Sequence, residues 1–207
     1  MLIKICGMRD AENIQAVEQL GVDWMGFIFY PGSSRYVGKE LNYIPEKVKR
    51  VGVFVDELPE RIGEIASKSR LQIIQLHGSE SPATCRTMQD AGFTVVKAFG
   101  MESDKPFPAS LVEQYIGSCD YFIFDTRTAL HGGSGKKFHW ELLSSYRGET
   151  PFLLSGGIGP DDAAAIREFT HPQFMGIDLN SGFETSPAIK ECTSLQNFIK
   201  TIRYEQD

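Results

Sequence analysis

The chain has 207 residues, enough for one domain with a substantial core, and its 42% hydrophobic and 23% charged residues are those of an ordinary soluble globular protein. A net charge of −6 at pH 7 gives no basic field for nucleic acid or an anionic membrane, so an anionic ligand must be met by local donors. Cys6, Cys85, Cys119 and Cys192 lack the C-x-x-C or Cys/His spacing of a metal site, and no window approaches the roughly 20 apolar residues of a bilayer span.

In chain order, short apolar runs predict strands near Leu2–Cys6, Trp24–Phe29, Val51–Val55, Leu71–Leu76, Thr94–Phe99, Tyr121–Asp125, Phe152–Ser155 and Phe174–Asn180. Amphipathic stretches between them predict helices near Ala11–Leu20, Glu40–Val48, Pro59–Ser69, Pro82–Ala91, Ser110–Ile116, His139–Tyr146, Pro160–Phe169 and Leu195–Ile202. Eight strand–helix units without a Pro/Gly/Ser linker predict one α/β domain spanning residues 1–207. Their regularity favours a closed (β/α)8 barrel over an open doubly wound sheet.

Strand parity sharpens the expectation, because successive side chains face opposite sides. Ile3 and Ile5 oppose Lys4 and Cys6; Ile74 and Leu76 oppose Ile73, Gln75 and His77. Phe122 and Phe124 oppose Tyr121, Ile123 and Asp125; Ile177 and Leu179 oppose Gly176, Asp178 and Asn180. One face is apolar and suits packing under helices, whereas the other turns polar toward the C-terminal end, as a barrel mouth does.

Candidate chemistry gathers at those strand ends. Cys6 is either a base or nucleophile with a lowered pKa or a small buried hydrophobe. Asp125, closing an aromatic strand, is either a general acid or a turn carboxylate. A thiol and a carboxyl group after the first and sixth strands would flank a ligand from opposite sides and suit a proton shift. Leu154-Ser-Gly-Gly-Ile-Gly-Pro and Asn180-Ser-Gly follow the last two strands, where barrels often build a phosphate cradle from backbone N–H groups. Arg35 could hold a carboxylate with its planar fork or be a solvated loop arginine. The segment Arg127–Lys137, with Gly132, Gly133 and Gly135, is a lid or a plain surface loop. His77 is a hydrogen-bond donor or a structural histidine. Lys97 shares the parity of Val95 and Phe99 and is read as pointing inward, as a Schiff-base lysine or, preferably, in an interior ion pair.

Several segments resemble the phosphoribosylanthranilate isomerase family: Lys4-Ile-Cys-Gly, Phe27-Ile-Phe-Tyr-Pro-Gly-Ser-Ser-Arg-Tyr, Val51-Gly-Val-Phe-Val-Asp, Ile74-Gln-Leu-His-Gly, Phe124-Asp-Thr, Gly132-Gly-Ser-Gly-Lys-Lys-Phe-His-Trp, Leu154-Ser-Gly-Gly-Ile and Gly176-Ile-Asp-Leu-Asn-Ser-Gly-Phe-Glu. They keep the family's order and span nearly the whole chain. The resemblance implies an Amadori rearrangement of N-(5′-phosphoribosyl)anthranilate in tryptophan biosynthesis. It implies Asp125 as the acid that opens the ribose ring, Cys6 as the base at C2′, and Arg35 as the holder of the anthranilate carboxylate. Gly156, Gly157, Ser181 and Gly182 match the phosphate cradle, and Gly133, Asp178 and Asn180 complete the expected substrate-binding set. Ser134, His139 and Asn180 depart from the family's usual Thr, Asp and Ser; His139 removes an acidic residue from a helix start.

The substrate iminium is its own electron sink, so neither metal nor cofactor is expected. The expected partner is a phosphorylated small molecule, with no nucleic acid or membrane. The N-terminus lacks a signal peptide, which points to the cytoplasm. The want of a long exposed apolar segment favours a monomer over a homodimer. Two rivals are an FMN-binding barrel oxidoreductase, which would purify yellow, and a non-catalytic phosphate-ligand sensor, against which the retention of Cys6 and Asp125 speaks.

Overall fold

The first and last strands pair with each other. In the computed structural model, which describes residues 1–126 and 138–204, β1 (Leu2–Ile5) is hydrogen-bonded to β2 (Trp24–Ile28) on one side and β8 (Phe174–Leu179) on the other. Between them follow β3 (Lys49–Phe54), β4 (Ile73–Leu76), β5 (Thr94–Met101), β6 (Tyr121–Thr126) and β7 (Phe152–Leu154), all parallel, closing an eight-stranded barrel. The segment 127–137, with Gly133 and the expected lid, lies outside the described residues.

Among the described residues five α-helices take up the connections and a sixth follows a hairpin after β8: α1 (Ala11–Glu18), α2 (Pro59–Lys68), α3 (Pro82–Asp90), α4 (Ala109–Glu113), α5 (Ala163–Glu168) and α6 (Cys192–Tyr204). Local chemistry sets their starts. Asp10 caps α1 by accepting the Asn13 N–H at 2.9 Å, Ser81 caps α3 through Thr84, and Pro59 and Pro82 open their helices. The stretch expected as the sixth helix is a 3₁₀ turn, Trp140–Ser145, whose preceding His139 makes no side-chain cap.

The helix expected over Glu40–Val48 is absent. Pro45 disfavours helical geometry at Ile44, and a distant carboxylate claims the backbone. Glu18, buried at the end of α1, accepts the N–H groups of Glu46 at 2.6 Å and Lys47 at 2.7 Å and the Tyr43 hydroxyl at 3.0 Å. Bonds to a buried charge, worth about 1.5–3 kcal/mol each, outweigh the weak helix pattern. A small antiparallel hairpin, β9 (Glu184–Ser186) and β10 (Ile189–Lys190), was not expected.

The parity holds. Ile3, Ile5, Ile74, Leu76, Phe122, Phe124, Ile177 and Leu179 belong to the apolar layer between strands and helices. Cys6, Trp24, Val51, Val53, Ile73, Val96, Ala98, Ile123 and Leu153 form a separate cluster inside the barrel. At its base Trp24 of β2 meets Tyr121 of β6 edge to face, centroids 5.1 Å apart, so rings from opposite walls plug the lumen. Lys97 corrects the expectation of an inward lysine: Val95 and Phe99 belong to the outer layer. Its Nζ donates to Glu80 Oε2 at 3.0 Å and to the Gly78 carbonyl at 2.6 Å. The ion pair is real, but its partner lies in the β4–α3 loop.

Candidate active site

Register builds the floor of the mouth. Lys4 and Asp178 are cross-strand partners on β1 and β8, both directed inward, and Lys4 Nζ donates to Asp178 Oδ1 at 2.9 Å with both side chains buried. Burial works against the lysine's charge, but Asp178, with Cys6 also in reach, outweighs it and holds the ammonium above its ordinary value.

Cys6 stands one layer higher, two residues beyond Lys4, at the top of the interior cluster. Its N–H donates to the Leu179 carbonyl at 2.8 Å, pinning the strand end to β8. Gly26 of β2 makes the space for the sulfur, since a Cβ there would come within 2.8 Å of Cys6 Sγ. Burial pushes the thiol above its ordinary value; the positive charge of Lys4 pulls it down, Asp178 adds to the rise, and Lys190 opposes it. In the free protein the group is therefore a thiol. The chain then turns sharply at Gly7, whose φ of +76° suits glycine.

Asp125 is next to last in β6 and about one-fifth exposed. It faces a chain of polar groups: Gln75 Nε2 lies 2.8 Å from His77 Nδ1, and His77 Nε2 lies 3.5 Å from Asp125 Oδ2. With the Gln75 amide donating to Nδ1, the ring hydrogen is on Nε2 and faces the carboxyl group. Gln75 Oε1 is buried without a hydrogen-bond partner among the described residues. A cavity of about 400 Å³ opens beside the pair, lined by Asp56, His77, Ser79, Tyr115, Asp125 and Thr126 among others. A larger open hollow of about 910 Å³ lies at the other end of the barrel, around Met1, Asp23 and Gln72, and includes none of the candidate residues.

The two glycine loops touch. A Cβ on Gly182 would collide with the Ile158 carbonyl, and one on Gly156 with Thr126 at the end of β6. Gly156 and Gly157 both adopt positive φ, +89° and +70°, which turns the backbone where side-chain-bearing residues would be strained. Ser181–Phe183 forms a single 3₁₀ turn after β8, and the first N–H groups of such a turn have no partner within it. The loops after β7 and β8 thus present adjoining backbone donors on one part of the rim.

Arg35 is buried rather than solvated, and its guanidinium is held by Glu184, Nε to Oε1 at 2.9 Å and Nη2 to Oε2 at 2.6 Å. Asn180 Oδ1 accepts from Lys190 Nζ at 2.8 Å. Gly7 abuts both groups: a Cβ there would come within 2.6 Å of Arg35 Cδ and 2.7 Å of Asn180 Oδ1. Cys6, Arg35, Asp178 and Asn180 therefore share the β1–β8 side of the mouth, with Asp125 and His77 on β6 and beyond β4. Sequence reasoning missed Lys190 and a role for Glu184, which depend on an unannounced hairpin. Among the described residues no three His, Cys, Asp or Glu side chains converge as a metal site, and no helix is long and apolar enough to cross a membrane.

Fold and site define a (β/α)8-barrel enzyme whose ionisable groups gather at the C-terminal mouth. The model of the N-(5′-phosphoribosyl)anthranilate (PRA) isomerase family matches residues 3–201. Similar proteins include the N-(5′-phosphoribosyl)anthranilate isomerase of Phocaeicola vulgatus, 49% identical over 203 residues covering 98% of both chains. That of Thermotoga maritima is 35% identical over 207 residues, covering 97% of this chain and 98% of the relative. Among solved structures, the isomerase from Thermus thermophilus superposes with a TM-score of 0.82 at 27% identity, covering 98% of each chain. An isomerase in complex with reduced 1-(o-carboxyphenylamino)-1-deoxyribulose 5-phosphate gives a TM-score of 0.76 at 30% identity, again over 98% of each. The chain belongs to the N-(5′-phosphoribosyl)anthranilate isomerase family.

The state of Cys6 can be tested in solution. Because its pKa lies above the ordinary 9.0, the thiolate fraction grows about tenfold per pH unit throughout the neutral range. Iodoacetamide labelling of Cys6, followed by peptide mass spectrometry, is expected to accelerate in that way up to about pH 9. A rate that levels off below pH 8 would contradict the assignment.

Proposed function

We propose that the chain catalyses the Amadori rearrangement of N-(5′-phosphoribosyl)anthranilate to 1-(2-carboxyphenylamino)-1-deoxyribulose 5-phosphate in tryptophan biosynthesis, working as one barrel domain with Cys6 and Asp125 as its proton-transfer pair. Asp125, as general acid, gives a proton to the furanose ring oxygen as the C1′–O4′ bond breaks, and the anilino nitrogen's lone pair forms the iminium. Cys6, as thiolate, takes the C2′ proton; the C–H electrons become the C1′–C2′ double bond of an enolamine. Proton return to C1′ and loss of the C2′ hydroxyl proton give the ketone, so substrate and product have the same atoms. His77 Nε2, 3.5 Å from Asp125 Oδ2, is placed to orient that carboxyl group toward the mouth.

The observation that carries this reading is the common mouth: Cys6 above the Lys4–Asp178 pair after β1, Asp125 three strands away on β6, and two touching glycine loops on the rim. The loops around Gly156, Gly157, Ser181 and Gly182 hold the phosphate through backbone N–H groups. Arg35 meets the anthranilate carboxylate, and Asn180 and Asp178 act through Lys190 and Lys4. Gly133 remains a candidate contact from the segment after β6. The positive charge of the iminium favours ionisation of the buried Cys6 thiol, whose proton is released to solvent before the thiolate takes the proton from C2′. Each proton-transfer group contributes about 10²–10⁴-fold, and positioning supplies much of the remainder.

Solved relatives include monomers generated from the dimeric isomerase of Thermotoga maritima. Among the described residues the exposed large apolar side chains, Met1, Leu58, Leu111, Ile116 and Met175, stand on separate stretches of chain apart from Leu111 and Ile116. That favours a monomer. Light scattering is expected to give one species near 23.1 kDa, and twice that mass would overturn the monomer.

The roles are tested with Cys6→Ala and Asp125→Asn, following the loss of substrate fluorescence. Each is expected to lower kcat by about 10²–10⁴-fold while the reduced product analogue binds within a few-fold of its normal affinity. Near-normal turnover in either variant removes that residue from the mechanism. Normal turnover in both leaves the proton-transfer pair without support.

A further inference from the structure

Around Arg35 the charges do not cancel. Glu184, on β9, faces two cations: the Arg35 guanidinium, and Lys190 Nζ at 2.5 Å from Oε1. All three side chains are nearly or fully buried. Two positive groups against one carboxylate leave a surplus charge of one, and a buried surplus cation is costly until it meets an anion. Glu184 occupies one edge of the guanidinium, Nε and Nη2, with a further 3.1 Å contact from Nε to Oε2. Nη1 has no bond to any described residue, so the edge formed by Nη1 and Nη2 keeps the fork geometry that suits a second carboxylate.

The hairpin that carries Glu184 and Lys190 is itself clamped. The Asn13 amide on α1 both accepts the Lys190 N–H at 2.8 Å and donates to the Lys190 carbonyl at 2.9 Å. Arg9 spans from the Ser34 carbonyl, next to Arg35, to the Pro187 carbonyl at the hairpin turn. Ala188 N–H donates to Glu184 Oε1 at 3.2 Å, and Lys190 reaches Asn180 Oδ1. Burial pushes Lys190 below its ordinary value against the pull of Glu184. Burial would raise Glu184, but the Arg35 hydrogen bond and the two cations hold it below.

We propose that Glu184, tethered by Lys190, is the positioning residue that aims Arg35 at the ligand's carboxylate, and that the surplus charge of this trio sets the subsite's preference for a carboxylate-bearing ligand over its neutral counterpart. The proposal deepens the carboxylate assignment of Arg35 given above and rests on it. A flexible arginine would lose rotamer freedom each time it bound; one already docked on Glu184 has lost it on folding. Lys190 keeps Glu184 from cancelling Arg35, so the docked guanidinium remains an attractive partner.

Two probes separate the possibilities: the reduced carboxyphenylamino product analogue, and the same molecule without its carboxyl group. Calorimetric titration of the full chain compares Arg35→Met, Glu184→Gln, Lys190→Met and the Arg35→Met/Glu184→Gln pair. Glu184→Gln is expected to weaken the carboxylate ligand by about tenfold or more while changing the carboxyl-free ligand less than about threefold. It is also expected to raise KM more than it lowers kcat. Lys190→Met should show the same selectivity, so the test survives if one variant folds poorly. In the Arg35→Met background Glu184→Gln should add nothing. Equal weakening of both ligands, or tighter binding of the carboxylate ligand by Glu184→Gln, would overturn the proposal. If Arg35→Met itself keeps full preference for the carboxylate, the earlier assignment of Arg35 fails and takes this proposal with it.

Discussion

The ion pair between Lys4 and Asp178 joins the first strand to the last inside the barrel. Burying two charges costs several kcal/mol per ion, and their mutual attraction repays this only in good geometry, so apolar residues could fill the volume at least as stably. What the pair adds is register. A slip of one residue on β1 would drive Lys4 into the apolar layer under the helices and turn Cys6 away from the lumen. The seam where the chain closes on itself is thus fixed by the same pair that floors the site.

Above that floor, charge is arranged locally against a chain that is negative overall. Cys6 lies near Lys4 and Lys190, Glu184 is shared by Lys190 and Arg35, and Asp125 faces His77. Each acidic group has a basic neighbour, while the trio around Glu184 keeps one positive charge in excess. The glycine loops add backbone dipoles rather than side-chain charge. An anionic ligand therefore finds short-range donors on one side of the mouth, with the proton-transfer groups set across it.

The barrel was legible because eight apolar runs with consistent parity leave little choice of architecture; the two apolar clusters divide as Ile3 against Cys6 and Phe122 against Ile123 require. Cys6 and Asp125 were legible as strand-end residues. The Glu40–Val48 stretch was not, since the carboxylate that claims its backbone comes from Glu18, more than twenty residues earlier. Lys97 was misplaced because its parity was read without first deciding which face of β5 is the lumen. Arg35 was located, but its partner was not: Glu184 reaches it only through the hairpin after β8, for which short segments with little alternation give no signal. Long-range pairing of polar groups is what local pattern fails to carry.

The central claim is that one ligand is gripped between the β7–β8 loops and Arg35 so that Cys6 and Asp125 both reach its sugar. A crystal structure of the chain with the reduced product analogue tests it most directly. The account predicts the phosphate on the backbone of Gly157 and Gly182, with Cys6 Sγ within about 3.5 Å of C2′ and an Asp125 oxygen as near the hydroxyl derived from the ring oxygen. A ligand bound with its phosphate elsewhere, or with either group turned away from the sugar, would contradict it.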